Sequence, residues 1–301
     1  MTLRFYLETY GCSLNTADSD IIVGRLNELD GKRVQETTEA DLIILNSCGV
    51  KEPTEDRIVS RLEKLARKKT PVVITGCLPR ISLSRVERAI PDYAAILGPQ
   101  SIESLAQVIP RVLSGERGIQ HLDSDKVSKL KWFAGPPDSV ICTVPICEGC
   151  LGSCAYCAVK FARGQVRSHA IEEIHQVIER CVHLGYKEIR LTSQDAAVFG
   201  YDTGETLASL LADVSQIKGT HRFRLGMFNP NLVLDSIDEM LQAMDSPQFF
   251  KFFHIPLQTG SDNVLTAMKR QYTIAEWESV VEKVRERFSD ATIATDIIVG
   301  F

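Results

Sequence analysis

Short apolar runs alternate along this chain with longer amphipathic segments, and that alternation limits the fold more than any other feature. LRFYLET, DLIILNSC, PVVITGC and AAILGP are nearly continuous in apolar residues. A strand of that kind must be covered on both faces, as strands of parallel sheets are. The segments between them read as crossover helices. NTADSDIIVGRLNELDG predicts a helix with Asn15 or Thr16 as N-cap and Gly31 past its end. EPTEDRIVSRLEKLARKK predicts a charge-laced amphipathic helix, and SIESLAQVIPRVLSG one that Pro110 kinks or ends. Residues 1–115 are therefore expected to form a doubly wound parallel-sheet domain.

Residues 116–139 are polar, lack a strong period and end in a Gly-Pro-Pro turn, which predicts an interdomain linker. A second alternation fills residues 140–301. SVICTVPI, KEIRLTSQD, HRFRLGMFNP, FFKFFHIPLQ and ATIATDIIVGF read as strands with helices between them. Their spacing predicts an open, partial (βα) barrel. The last strand has no covering helix after it, so the chain is expected to be a fragment truncated at its C-terminus.

The chain has nine cysteines among 301 residues. It shows no signal-peptide pattern and no apolar run long enough to span a membrane, so a reducing cytosol is the expected compartment. Dense disulfide frameworks belong to short secreted chains, and an odd count resists full pairing. Metal or redox use is the better reading. Cys12, Cys48 and Cys77 each stand at or just past the end of an apolar strand. In a parallel sheet those ends share one edge, where ligands bind, so the three thiols are expected to converge. Convergent thiolates hold an iron–sulfur cluster or zinc. Zinc would lack a fourth closed ligand here, whereas a cubane with one open iron needs none.

CEGCLGSCAYC, Cys147–Cys157, places four cysteines in eleven residues. Two CxxC knuckles suggest zinc, but three residues between them leave little room for the chain to double back. The subset Cys150, Cys154 and Cys157 reads CxxxCxxC on a loop directly after a strand. That subset, with Tyr156 before its last cysteine, resembles the signature of radical S-adenosylmethionine (SAM) enzymes. YGCSLNTADSD, NSCGVKEPTEDR and TGCLPR resemble the three cysteine motifs of the N-terminal domain of methylthiotransferases, the MiaB/RimO superfamily. EGCLGSCAYCAVKFARGQVRS is similar to that family's radical SAM loop, and LTSQDAAVFGYD, RLGMFNP and HIPLQTGSDNVLTAMKRQYT to its later barrel motifs. The CLGSCAYC…KFARG form is most similar to the archaeal and eukaryotic branch, which methylthiolates threonylcarbamoyladenosine next to the anticodon of tRNA.

The resemblance implies two [4Fe–4S] clusters. Cys150, Cys154 and Cys157 would bind the one that cleaves SAM, and Cys12, Cys48 and Cys77 an auxiliary one that supplies the inserted sulfur. It also implies tRNA as substrate, an electron donor such as a flavodoxin or ferredoxin, and a sulfur donor. The family's C-terminal TRAM domain, which helps bind tRNA, does not appear in this sequence. A net charge of −5 agrees with the lack of a basic module.

The remaining candidates carry two readings each. Lys160, Arg163 and Arg167 form a local basic run that either contacts tRNA phosphate or the SAM carboxylate, or makes structural ion pairs. Gln194 and Asp195 end a strand, where barrel enzymes place site residues, and are expected at the amino group of SAM. Capping of the loop is the other reading for Asp195. His254 and Gln258 end a later strand, with the same argument and a core histidine as the alternative. Cys147 reads as a small residue at a strand end, and Cys142 and Cys181 as core. Two other functions remain open on the residues alone: methylthiolation of a ribosomal protein aspartate, and a non-catalytic metal protein.

Overall fold

A computed structural model describes residues 2–49, 52–123, 128–137 and 139–301. The chain divides into two compact units. The first comprises Met1–Gly135 together with Phe161–Arg163. Its strands are β1 (Arg4–Thr9), β2 (Lys32–Arg33), β3 (Leu42–Ser47), β4 (Val72–Gly76), β5 (Ala95–Leu97) and β6 (Ile119–His121). Among the described residues they form one parallel sheet of order β2-β1-β3-β4-β5-β6. The connections carry α1 (Ser13–Asn27), α2 (Glu52–Leu65), α3 (Leu78–Ala89) and α4 (Leu105–Leu113). All of β3 and β4 is buried, as strands covered on both faces must be.

Strand order reverses between β1 and β3, which makes the carboxyl edge between them the switch point where ligands bind in such sheets. Cys12 and Cys48 follow those two strands, and Cys77 follows β4.

Three details depart from the sequence reading. Of the segment expected as a linker, residues 116–123 and 128–135 are part of the first unit and 136, 137 and 139 of the second, while 124–127 and 138 lie outside the described residues. Ile119–His121 adds the edge strand β6 to Ala95–Leu97, and Trp132 is buried with a cation–π contact from Arg25. A three-residue strand is too short to show a period. The unit boundary falls after Gly135. Second, α1 starts at Ser13, so Asn15 lies inside the helix and is buried rather than capping it. Third, α4 continues through Pro110 to Leu113.

The second unit comprises Pro136–Lys160 and Gly164–Phe301. Its strands include β7 (Ile141–Pro145), followed by a small antiparallel pair, β8 (Cys147–Glu148) and β9 (Arg167–Ser168). The short α5 (Val159–Arg163) lies between β8 and β9, and its last three residues count with the first unit. Then come α6 (Ile171–His183), β10 (Glu188–Thr192), α7 (Leu207–Val214), β11 (Arg222–Leu225), α8 (Ile237–Ala243), β12 (Phe252–His254), α9 (Asp262–Ala267), α10 (Ile274–Arg287) and β13 (Thr292–Ala294). The five strands expected from the sequence are β7, β10, β11, β12 and β13, and each of their pairings is parallel. They form a three-stranded and a two-stranded sheet. Backbone bonds from Phe223 to Gln248 and from Phe250 to Phe223 carry the ladder between β11 and the chain entering β12. The β8–β9 pair was not visible in the sequence, because two-residue strands carry no period.

Cys142 of β7 and Cys181 of α6 are buried against each other, with sulfurs 2.6 Å apart. Among the described residues no helix is long and apolar enough to cross a membrane.

Asp20 on α1 is 5% exposed, and its Oδ2 has no hydrogen-bond partner among the described residues. Burial raises its pKa to about 7, with Arg33 opposing. The raised value has a definite sign. From about pH 4 to 7 the unfolded chain has lost the proton that the native state keeps, so stability falls as pH rises through that window. Above pH 7 the full penalty remains. Asp20→Asn removes it, so thermal melts are expected to show a clear gain over the parent at pH 8. Most of that gain is gone by pH 5, and equal gains at both pH values would contradict the assignment.

Candidate iron–sulfur sites

In the first unit the β1–α1, β3–α2 and β4–α3 turns bring three thiols around one side chain, Asn15. Cys12 Sγ lies 3.5 Å and Cys77 Sγ 3.9 Å from Asn15 Oδ1. Cys48 is tied in through Gly11, where a Cβ would come within 2.9 Å of Cys48 Cβ and 3.0 Å of Asn15 Cγ. Gly11 has a φ of +120°, so glycine is required there twice over. Gly76, before Cys77, has a φ of +92°, and a Cβ on it would lie 2.2 Å from Ser47 O. These two glycines let the chain turn sharply enough to present their cysteines at the sheet edge.

Asn15 is itself fixed. Its Nδ2 donates to Ser47 O at 2.9 Å, and its own carbonyl accepts from Asn46 Nδ2 at 2.8 Å. Arg163 Nη2 donates to Asn15 Oδ1 at 3.2 Å and pairs with Asp18 Oδ2 at 2.7 Å, and Lys129 Nζ donates to Asp18 Oδ1. Arg163 is 0% exposed. The basic run is thus not one surface. Arg163 is withdrawn from any RNA backbone because a buried Asp18 carboxylate demands cations. Lys160 is half-buried on α5, and Arg167 lies in β9 paired across to Glu148. Burial pushes the Cys77 thiol up, while Arg163 pulls it back toward the thiolate. A buried cation beside three converging thiols is the electrostatic setting thiolates need.

In the second unit the β8–β9 pair closes the base of the dense loop. Cys147 belongs to that base. It is 0% exposed, its sulfur faces Asp195 O at 3.8 Å, and burial pushes its thiol far up. Cys150, Cys154 and Cys157 occupy the partly exposed loop beyond it. Gly152 stands between the first two, its N–H 3.2 Å from Cys150 Sγ. A Cβ on Gly152 would lie 3.4 Å from Cys150 Sγ and 3.6 Å from Cys154 Sγ, filling the space between the sulfurs. Among the described residues no group of three or more His, Cys, Asp or Glu side chains is disposed to hold a single metal ion. A cubane binds each thiolate through a different iron, so its ligands stand wider apart than those of one ion. Both triads suit that donor set.

The other candidates divide. The Tyr156 hydroxyl lies 3.5 Å from Arg270 Nη1, and burial raises its pKa to about 12 with Arg270 opposing. Gln194 Oε1 accepts from Gly149 N–H at 2.8 Å, at the foot of the loop. Asp195 is 0% exposed and its oxygens are engaged, Oδ1 by the N–H groups of Ala197 and Asn229 and Oδ2 by Asn229 Nδ2 at 2.6 Å. It caps and braces the chain after β10 while lining a cavity with Gly152, Cys154 and Asn229, and burial raises its pKa. His254 Nε2 is 2.8 Å from Asp296 Oδ2, and Gln258 bonds Asp296 and Ile298 through its backbone. Those two residues are tied to the end of β13.

Two residues missed in the sequence complete this loop. Arg270 Nη1 donates to Cys154 Sγ at 3.2 Å, and its Nη2 to Asn229 Oδ1. A lone Arg and a lone Asn far apart in sequence give no spacing signal, although both fall inside the quoted barrel motifs.

Residues 4–98 match the family described as "Uncharacterized protein family UPF0004", and residues 144–301 match the Radical SAM superfamily. The chain is 38% identical over 301 residues to a probable threonylcarbamoyladenosine tRNA methylthiotransferase of Pyrococcus abyssi, covering 99% of this chain and 70% of that protein. The chain belongs to this radical SAM methylthiotransferase family. A Drosophila melanogaster threonylcarbamoyladenosine tRNA methylthiotransferase is 36% identical over 312 residues, covering 100% of this chain and 55% of that protein. Among solved structures, the radical SAM methyltransferase TsrM from Kitasatospora setae aligns with a TM-score of 0.70 at 11% identity, over 99% of this chain and 67% of that one. That likeness shows the fold. A radical SAM methylthiotransferase uses SAM and a [4Fe–4S] cluster.

The buried Asp18 group separates a structural from an RNA-binding role for Arg163. Arg163→Met removes one of the two cations paired with the buried Asp18 carboxylate and leaves Lys129. It is expected to cost about 3–5 kcal/mol, the usual range for breaking a buried pair, read as a lower chemical-denaturation midpoint. Unchanged stability with weaker RNA binding would restore the RNA reading.

Proposed function

We propose that this chain carries the catalytic units of a methylthiotransferase that converts N6-threonylcarbamoyladenosine, next to the anticodon of tRNA, to its 2-methylthio derivative. The observation that carries the reading is the presence of two thiol triads, one at strand ends and one on the loop after β8, together with 38% identity, over 99% of the chain, to a relative named for that reaction. The names of the archaeal and eukaryotic relatives support the tRNA substrate over a ribosomal protein aspartate.

Cys150, Cys154 and Cys157 would hold the SAM-cleaving [4Fe–4S] cluster, and Cys12, Cys48 and Cys77 an auxiliary one. When bound, the first supplies the electron that cleaves SAM and the second the sulfur that is inserted. The residues present do the rest. Gly152 keeps the space between two thiolates open and gives an N–H to one of them. Gly11 and Gly76 turn the chain so that thiols meet at the sheet edge, and Asn15 spaces them. Arg163 holds positive charge beside Cys77, which favours its thiolate. Gln194 anchors the foot of the loop through Gly149. A one-electron donor of the flavodoxin or ferredoxin kind and a sulfur donor are the partners this chemistry requires, in a reducing cytosol.

Anaerobic reconstitution tests the cofactor content. About eight irons per chain are expected, the two-cubane count. Cys12→Ala/Cys48→Ala/Cys77→Ala and Cys150→Ala/Cys154→Ala/Cys157→Ala should each retain about half of that iron. Stoichiometric zinc without iron would end the enzyme reading. For the reaction, full-length enzyme is incubated with tRNA and SAM under reducing conditions, and the digested nucleosides are analysed by mass spectrometry. A mass gain matching one methylthio group is expected, and its absence would rule out the tRNA substrate.

A further inference from the structure

Arg270 sets a cationic side chain against a sulfur of the dense loop, and the backbone around it is built to hold it there. It follows α9 as the third residue past the helix end. Lys269 adopts a φ of +57°, Lys269 N–H bonds Thr266 O at 3.0 Å, and Arg270 N–H bonds Leu265 O at 2.9 Å. That double bond pattern is a Schellman ending, which fixes the direction of the residue after the left-handed one. Met268 O accepts from Ala155 N–H at 2.9 Å, so the same turn also pins the loop beside Cys154.

The guanidinium is held from three sides. Nη1 reaches Cys154 Sγ at 3.2 Å, and Nε reaches the Tyr272 hydroxyl at 3.0 Å. Nη2 donates to Asn229 Oδ1, whose amide is oriented by the Asp195 carboxylate at 2.6 Å. The Tyr272 hydroxyl donates in turn to Pro256 O at 2.7 Å, and Arg270 lies 4.9 Å from the Tyr272 ring centre. Held by Tyr272 and Asn229, the guanidinium presents Nη1 to the Cys154 sulfur and, at 3.5 Å, to the Tyr156 hydroxyl.

We propose that Arg270 is a positioning residue that raises the reduction potential of the iron–sulfur centre held by Cys150, Cys154 and Cys157, with Asn229 and Asp195 holding it in place. The idea rests on the cluster reading given above for this triad. The physical argument is short. Reduction adds one negative charge to the centre. A fixed cation and an N–H donor on a ligand sulfur stabilise the more negative state more strongly, so the potential rises. Hydrogen bonds from outside the ligand set tune metal centres in this way.

The test uses a Cys12→Ala/Cys48→Ala/Cys77→Ala parent of the full-length protein, so that one centre titrates. Iron is counted first, and about four per chain supports the cluster reading. No iron in the parent overturns that reading and this proposal together. The midpoint potential is then measured by redox titration followed by electron paramagnetic resonance. Arg270→Met is expected to lower the potential with iron retained, and Arg270→Lys to restore part of the shift. Asn229→Ala is expected to lower it as well, because the guanidinium loses its clamp. A parental potential in iron-replete Arg270→Met overturns the proposal while leaving the cluster reading intact. Should Arg270→Met lose its iron, Asn229→Ala decides: a lowered potential supports the role and a parental one overturns it.

Discussion

Parallel strand pairing is the constraint on which the rest depends. In a parallel sheet every strand ends on the same edge, so residues tens of positions apart in sequence are delivered to one place. Cys12, Cys48 and Cys77 lie 36 and 29 positions apart, yet Asn15 reaches toward two of them and Gly11 abuts the third. The apolar character of β3 and β4 makes this possible. Strands buried on both faces sit in the middle of the sheet, and the observed pairings of β3 with β1 and β4 bring their carboxyl ends, and the thiols beyond them, to one edge.

The first unit places charge where it is costly. Asp18, Arg163 and Lys129 are all buried, and a buried pair of this kind gives little net stability unless each charge is matched. What it gives here is a fixed guanidinium between Asp18 and Asn15, next to Cys77. The second unit uses a related device on the dense loop. There Asp195 fixes Asn229, Asn229 fixes Arg270, and Arg270 meets Cys154. In both units a buried carboxylate orients the groups nearer the sulfurs.

Glycine carries much of the local precision. Gly11 and Gly76 adopt backbone angles and close approaches that no side chain permits, and Gly152 leaves room between two sulfurs. Each neighbours or separates cysteines in the sequence, so the small residues and the thiols form single motifs. Cys147 shows the opposite case. It shares the dense spacing but belongs to the β8–β9 pair, where it is buried and its sulfur is turned to a backbone carbonyl.

The sequence by itself determined the parallel α/β fold and the family, and it placed Cys12, Cys48 and Cys77 at strand ends and Cys150, Cys154 and Cys157 on a loop after a strand. Those features are periodic or locally spaced, and local pattern survives in one dimension. It did not determine β6, the β8–β9 pair or the true unit boundary, because two- and three-residue strands carry no period. Nor did it separate Arg163 from Lys160 and Arg167, since a run of like charges reads as one surface until burial distinguishes its members. The contacts of Asn15, Asn229 and Arg270 were decided only by tertiary structure. Each acts through one contact to a distant residue, and such a contact leaves no mark on its sequence neighbours.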